Sequence, residues 1–110
     1  MGVWLPKSIR PDGTGIYVHA VEVPADYSGE IPAGFDVIDL EPCKYLIFQG
    51  EPYDDEKYNE AIGALWENIA DFNPKVYGYD WDNEAAPRFQ LAPMGWRGYI
   101  EGRPVKKIGL

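Results

Sequence analysis

The stretch from Lys44 to Phe72 constrains the fold more than any other. A strand-like run, KYLIFQG (44–50), leads through Glu51-Pro52-Tyr53 into DDEKYNEAIGALWENIADF (54–72). On a helical wheel of roughly 100° per residue, Tyr58, Ala61, Ile62, Leu65, Ile69 and Phe72 share an apolar arc about 140° wide, with Trp66 at its edge. Glu56, Glu60, Glu67 and Asp71 fall opposite. Asp54 is positioned to cap this helix, Asp55 and Glu56 favour its positive end, and Pro52 stops it upstream. Asn73-Pro74 ends it, because a residue before proline is pushed out of the helical region. A helix with one apolar stripe needs a sheet beneath it.

The rest of the chain supplies strand candidates. MGVWLP (1–6) is a short apolar run closed by proline. IYVHAVEV (16–23) is β-branched and aromatic, and the turn chemistry of Pro11-Asp12-Gly13 lies between the two, so they can form a hairpin with a long loop. Pro24 to Phe35 is a connector with no periodicity. DVIDL (36–40) alternates and is read as a strand, as is Lys44 to Gln49. After the helix, KVYGYDW (75–81), RFQLA (88–92) and WRGYIEGRPV (96–105) complete the set. In the last of these, Tyr99, Glu101 and Arg103 share one face. The expected fold is α+β, a mostly antiparallel sheet with one main helix, in one domain of 110 residues.

Eight Tyr, four Trp and four Phe are more rings than a core this small can hide, so some are expected to line a surface groove. The net charge of −8 argues against direct nucleic-acid binding, which needs clustered Lys and Arg, and is compatible with attraction of cations. One cysteine, Cys43, allows no intrachain disulfide and fits a reducing compartment. No run approaches the ~20 apolar residues of a membrane helix, and Met1-Gly2-Val3 opens no secretory signal. A cytoplasmic location is expected. His19 is the sole histidine and has no clustered Cys or acids around it in sequence, so neither a metal nor another cofactor is expected. Ser8 and Ser28, the two serines, lie in loops and give no triad. Asp12-Gly13-Thr14-Gly15 lacks the Gly-Lys-Ser/Thr of a phosphate loop.

Three pieces in order carry a family pattern: IPAGFDVIDLEPCKYLIFQGEPY (31–53), the helix AIGALWENI (61–69), and the tail PRFQLAP…GYIEGRPVKK (87–107). Together they resemble the GyrI-like effector-binding domain, found at the C-terminal end of AraC- and MerR-type transcription regulators and also free-standing. The resemblance covers most of the chain from about Gly15 onward. It implies two strand–helix–strand–strand modules with a ligand groove between them. Here 36–107 would be a complete second module and 1–23 the remnant strand pair of the first. The missing helix implies either a piece of a longer regulator with an upstream DNA-binding part, or a groove completed by homodimerisation.

The resemblance also implies bulky, cationic or amphipathic ligands held by a buried carboxylate on the last strand among stacked aromatics. Glu101 is the candidate, one position off the place that many relatives use, where this chain has Ile100. A bulge at Gly98 or Gly102 would shift the face by one. Beside Arg97 and Arg103, Glu101 is equally read as a salt-bridged surface acid. The candidate groove lining is Trp4, Tyr17, Tyr45, Phe48, Trp66, Tyr79, Trp81 and Tyr99. Three functions stay open: a small-molecule sensor; a hydrolase of reactive natural products using Glu101 with Tyr99 or Tyr79; and an acidic module that binds a basic protein, as gyrase-inhibiting relatives do.

Overall fold

The structure is a computed structural model, and it describes residues 1–108. Six antiparallel strands and one long helix make an α+β fold. The strands are β1 (Gly2–Trp4), β2 (Tyr17–His19), β3 (Lys44–Gln49), β4 (Tyr79–Trp81), β5 (Arg88–Gln90) and β6 (Ile100–Lys107); the helix is α1 (Tyr58–Asp71). The sheet runs β2-β1-β5-β6-β3, and β4 also pairs with β6.

β6 is the hub. β3 lies along one edge from Lys44↔Val105 to Gln49↔Ile100 without interruption. The opposite edge takes β5 first, at Phe89↔Gly102 and Gln90↔Glu101, and then β4, at Trp81↔Val105. The strand pair β1–β2 forms the expected hairpin and joins through β1 and β5, with Trp4 opposite Arg88. Because paired residues share a face, this register puts Trp4, Tyr17, Arg88, Gln90, Glu101 and Arg103 on one side. That is the side on which α1 lies. Leu65 and Ile69 of α1 are buried against Tyr99, with Phe48, Tyr53, Ile62 and Trp81 packed around them.

The helix is anchored at its start by the chain that precedes β6. Asp55 Oδ1 accepts from the Gly95 amide at 2.7 Å, and Tyr53 N–H donates to the Gly95 carbonyl at 2.9 Å. Asp54 does not cap with its side chain; it opens a short 3₁₀ turn, Asp55–Lys57, that feeds α1. Gly98 has φ +80, and a Cβ there would run into the Gly50 carbonyl oxygen, so only glycine lets the chain enter β6 at this angle.

Four expectations change, the first at β6, where the run Trp96–Val105 opens in a 3₁₀ turn, Gly95–Arg97, and the strand begins only at Ile100. Asp36–Leu40 is not a strand: no sheet edge meets it, and Val37 and Leu40 are exposed. The run Lys75–Trp81 divides into a 3₁₀ turn, Pro74–Tyr77, and β4, because Gly78 takes φ 84 between them. Strand Ile16–Val23 contracts to Tyr17–His19, and residues 20–43 carry no helix or strand. That connector explains the size of the molecule. Its radius of gyration of 15.5 Å exceeds the roughly 13 Å of a compact chain of this length.

Candidate functional site

Glu101 is completely buried, on the face of the sheet over which α1 lies. The uninterrupted β3–β6 register turns it towards α1, so no bulge within β6 is needed, and Ile100 faces the other way. Burial without partners would be costly for a carboxylate. The sequence supplies those partners from three elements. Trp66 Nε1 of α1 donates to Oε1 at 2.7 Å, and the Tyr99 hydroxyl donates to the same oxygen at 2.7 Å. Arg103 Nε donates to Oε2 from two residues along β6. Arg88 of β5 stands beside the same Oε2, its Nε 3.4 Å away.

The arginine of β5 is held differently from that of β6. Its Nε is buried and makes no hydrogen bond. Its guanidinium instead lies over aromatic surface, with Cζ 4.0 Å from the Trp4 ring centre and 5.3 Å from that of Trp66. Burial pulls the Arg88 guanidinium below its ordinary range, against the opposing influence of Glu101. Trp4 in turn packs on Tyr17, with ring centres 4.9 Å apart, and meets Trp66 edge-on at 6.3 Å. A Cβ on Gly2 would collide with the Tyr17 ring, so this glycine lets Tyr17 lie across β1.

Gln90 extends the network outward. Its amide nitrogen is 2.7 Å from the Tyr17 hydroxyl, and its amide oxygen is 2.7 Å from the Tyr99 hydroxyl. One phenolic proton cannot serve both Gln90 and Glu101. Turning the amide by a half-rotation resolves this: Tyr17 donates to Gln90, Gln90 donates to Tyr99, and Tyr99 donates to Glu101. Every group then has a partner, and the chain of donors runs from an exposed phenol to the buried acid. Burial, reinforced by the Glu101 carboxylate, pushes the Tyr99 phenol above its ordinary value of 10.0.

Above this network is an open groove. A depression of about 220 Å³ is lined by Trp4, Arg88 and Arg103 with Leu5, Pro6, Asn83 and Pro104. That is smaller than the roughly 300 Å³ at which drug-sized pockets begin. Tyr17 and Trp66 flank the network, each 40% exposed.

Five of the nine sequence candidates, Glu101, Trp66, Tyr99, Tyr17 and Trp4, therefore come together. The other four do not. Phe48 and Trp81 belong to an apolar cluster with Phe72, ring centres 5.3 to 6.3 Å apart. Tyr45 lies on the opposite face, against Phe89 at 5.1 Å, with its hydroxyl donating to the Pro87 carbonyl. Tyr79 is opposite Lys107 at the far end of β6. Arg97 is also apart, its guanidinium donating to the Ala92 carbonyl. Arg88 and Gln90 were not among the candidates. The alternation of Arg-Phe-Gln places them on one face, but only long-range pairing with β6 brings that face to Glu101.

Among the described residues no group of three or more His, Cys, Asp or Glu is arranged to hold a metal, and no helix is long and apolar enough to cross a membrane. Comparison of the chain with protein-family models, with curated proteins and with solved structures finds no match.

Proposed function

We propose that this protein is a small-molecule binding module of the GyrI-like kind, acting in the cytoplasm as the effector-binding part of a transcription regulator or as a free-standing relative. Its ligands are hydrophobic compounds with a positive charge and an aromatic body, taken in the groove over Trp4 and Trp66. One observation carries this reading: a carboxylate with no solvent exposure is held by Trp66 and Tyr99, and beside it a cation, Arg88, lies over the Trp4 ring at the edge of an open depression. Rings facing a cation contribute about 0.5–2 kcal/mol each. Micromolar affinity needs about 8 kcal/mol, so buried ring area supplies most of the affinity and Glu101 selects charge.

The test is quenching of tryptophan fluorescence by flat isosteres of different charge: 1-methylquinolinium, neutral 1-methylnaphthalene and anionic 1-naphthoate. Saturable quenching that favours the cation, and that is lost in Glu101→Gln, is expected. Absence of saturable quenching by every member would remove the reading.

A hydrolase is the second reading, and it draws on the 2.7 Å contact between the Tyr99 hydroxyl and Glu101. Two features count against it. Both side chains are fully buried, and the Tyr99 phenol is pushed towards keeping its proton, which makes it a poor acid.

A further inference from the structure

We propose that Arg88 is a resident cation that holds the ligand's seat and that a cationic ligand must displace it, which makes Arg88 the residue that sets the selectivity of the groove. The proposal rests on the small-molecule reading above and goes one step past it.

The acceptor capacity of Glu101 is almost used up. Oε1 already receives Trp66 and Tyr99, and Oε2 receives Arg103 and faces Arg88. A carboxylate has about four lone-pair sites; three hold donors, and Arg88 stands in the approach to the fourth, so a newcomer meets Arg88 there. Charge gives the same answer. Glu101, Arg88 and Arg103 sum to one positive charge. A further cation would gather three positive groups around one carboxylate in a largely buried place, which is strongly unfavourable. A cation therefore enters by exchange. Replacing one cation by another leaves the net charge of the cluster unchanged.

Of the two arginines, Arg88 is the one that can leave. Arg103 makes a direct hydrogen bond to Oε2. Arg88 approaches the same oxygen at 3.4 Å with its Nε unpaired. An unpaired buried N–H is a standing cost that departure removes. What Arg88 gives up is mainly its stacking on Trp4, and a flat cationic ring recovers that contact with greater area. Its side chain is 28% exposed and borders the open depression, so the guanidinium has a way out to water. The small size of that depression follows as well, because the seat is filled from within. A neutral aromatic compound gains nothing from the exchange, so the device discriminates by charge.

The apparent affinity for a displacing ligand is lowered by the fraction of time that the seat is empty. If Arg88 is out of its seat about a tenth of the time, its removal tightens cation binding about tenfold. The experiment titrates 1-methylquinolinium and 1-naphthoate into wild type, Arg88→Met, Arg88→Ala and Glu101→Gln by tryptophan fluorescence, with ¹⁵N-arginine spectra of the wild type. Met keeps the length without the charge, and Ala controls for Met filling the seat. Expected are cation binding about tenfold tighter in both Arg88 variants, and a wild-type Arg88 Nε–Hε resonance that loses its Trp4 ring-current shift at saturation. Cation affinity unchanged or weakened in both variants, or a ring-current shift that persists at saturation, overturns the displacement. So does preferential binding of 1-naphthoate that is lost with Arg88, which would make the arginine a ligand contact for anions. Cation binding lost in Glu101→Gln yet indifferent to Arg88 overturns this inference alone. Absence of saturable binding in every form overturns the small-molecule reading and this inference with it.

Discussion

Two aromatic clusters flank the same helix, and they are built to different rules. On one flank, Phe48, Phe72 and Trp81 pack ring against ring, and Phe72 also stacks on Tyr77 with centres 5.6 Å apart. Nothing charged is buried there, and the cluster continues into Leu65 and Ile69. On the other flank, Trp4 and Trp66 lie against the Arg88 guanidinium, Tyr17 packs on Trp4, and the buried Glu101 carboxylate holds Trp66 and Arg103. The first cluster is held by apolar area, which is non-directional and tolerates small shifts. The second is held by directed donors to one anion, where a single missing partner leaves a buried group unsatisfied. The lesson is that ring content alone does not mark a binding groove. What separates the two flanks is where the polar tips point.

The contrast can be broken most forcefully in the apolar half. Ile69→Ala empties a fully enclosed site beneath the helix, and a loss of about 2–5 kcal/mol is expected in urea or thermal unfolding. If the two halves are energetically distinct, ligand titrations on the folded fraction stay unchanged. A shift in cation selectivity of that variant would show the halves to be one unit. A smaller effect is expected in the polar half. Trp66→Phe keeps a ring but deletes the indole N–H that serves Glu101 Oε1, with an expected loss of about 1–2 kcal/mol, discounted because Trp66 is partly exposed. The cost should fall towards zero when Glu101 is replaced by Leu in the same protein, since the deleted donor then has no acceptor to lose. An undiminished cost in that double-mutant cycle would assign Trp66 to packing alone.

Much of this was legible in the sequence, and the limits follow from range. The apolar arc of α1 and the shared face of Tyr99, Glu101 and Arg103 are local periodicities; the face appears as expected, and the arc does from Ile62 through Leu65 and Ile69, while Tyr58 at its start is exposed. The position of Trp66 at the edge of the arc anticipates its double role, half exposed and half reaching to the acid. Period two also carried a signal against part of the predicted lining. Tyr45 and Phe48 lie an odd number of residues apart on one strand, so they cannot face one groove together. Asp36–Leu40 alternates correctly, yet a strand exists only where an edge accepts it, and that is decided elsewhere in the chain. Arg88 was hidden for the same reason, because its partner on β6 is far away in sequence.

Tyr99 joins the two halves, and its titration tests whether they respond together. Its ring is part of the apolar cluster with Leu65 and Ile69, while its hydroxyl donates to Glu101. Burial and that carboxylate raise its pKa above the ordinary 10.0, and burial followed by Cys43 raises that of Tyr45 on the opposite face. Above pH 10 the unfolded chain has released these protons while the folded chain retains them, so the folded state binds more protons and stability falls as pH rises. Below pH 10 the contribution is fully present and flat. Burial, followed by Asp55, raises Tyr53 as well, so tyrosinate absorbance should show three late tyrosines among the eight, accompanied by loss of structure rather than by a smooth titration in the native state. Tyr99→Phe and Tyr45→Phe should each remove one late proton and shift the alkaline unfolding midpoint upward. Only Tyr99→Phe should also alter cation binding, because only that hydroxyl reaches Glu101. If Tyr45→Phe changes cation binding equally, the face that carries Tyr45 and Phe89 is coupled to the groove through β6, and the division into a dry half and a polar half fails.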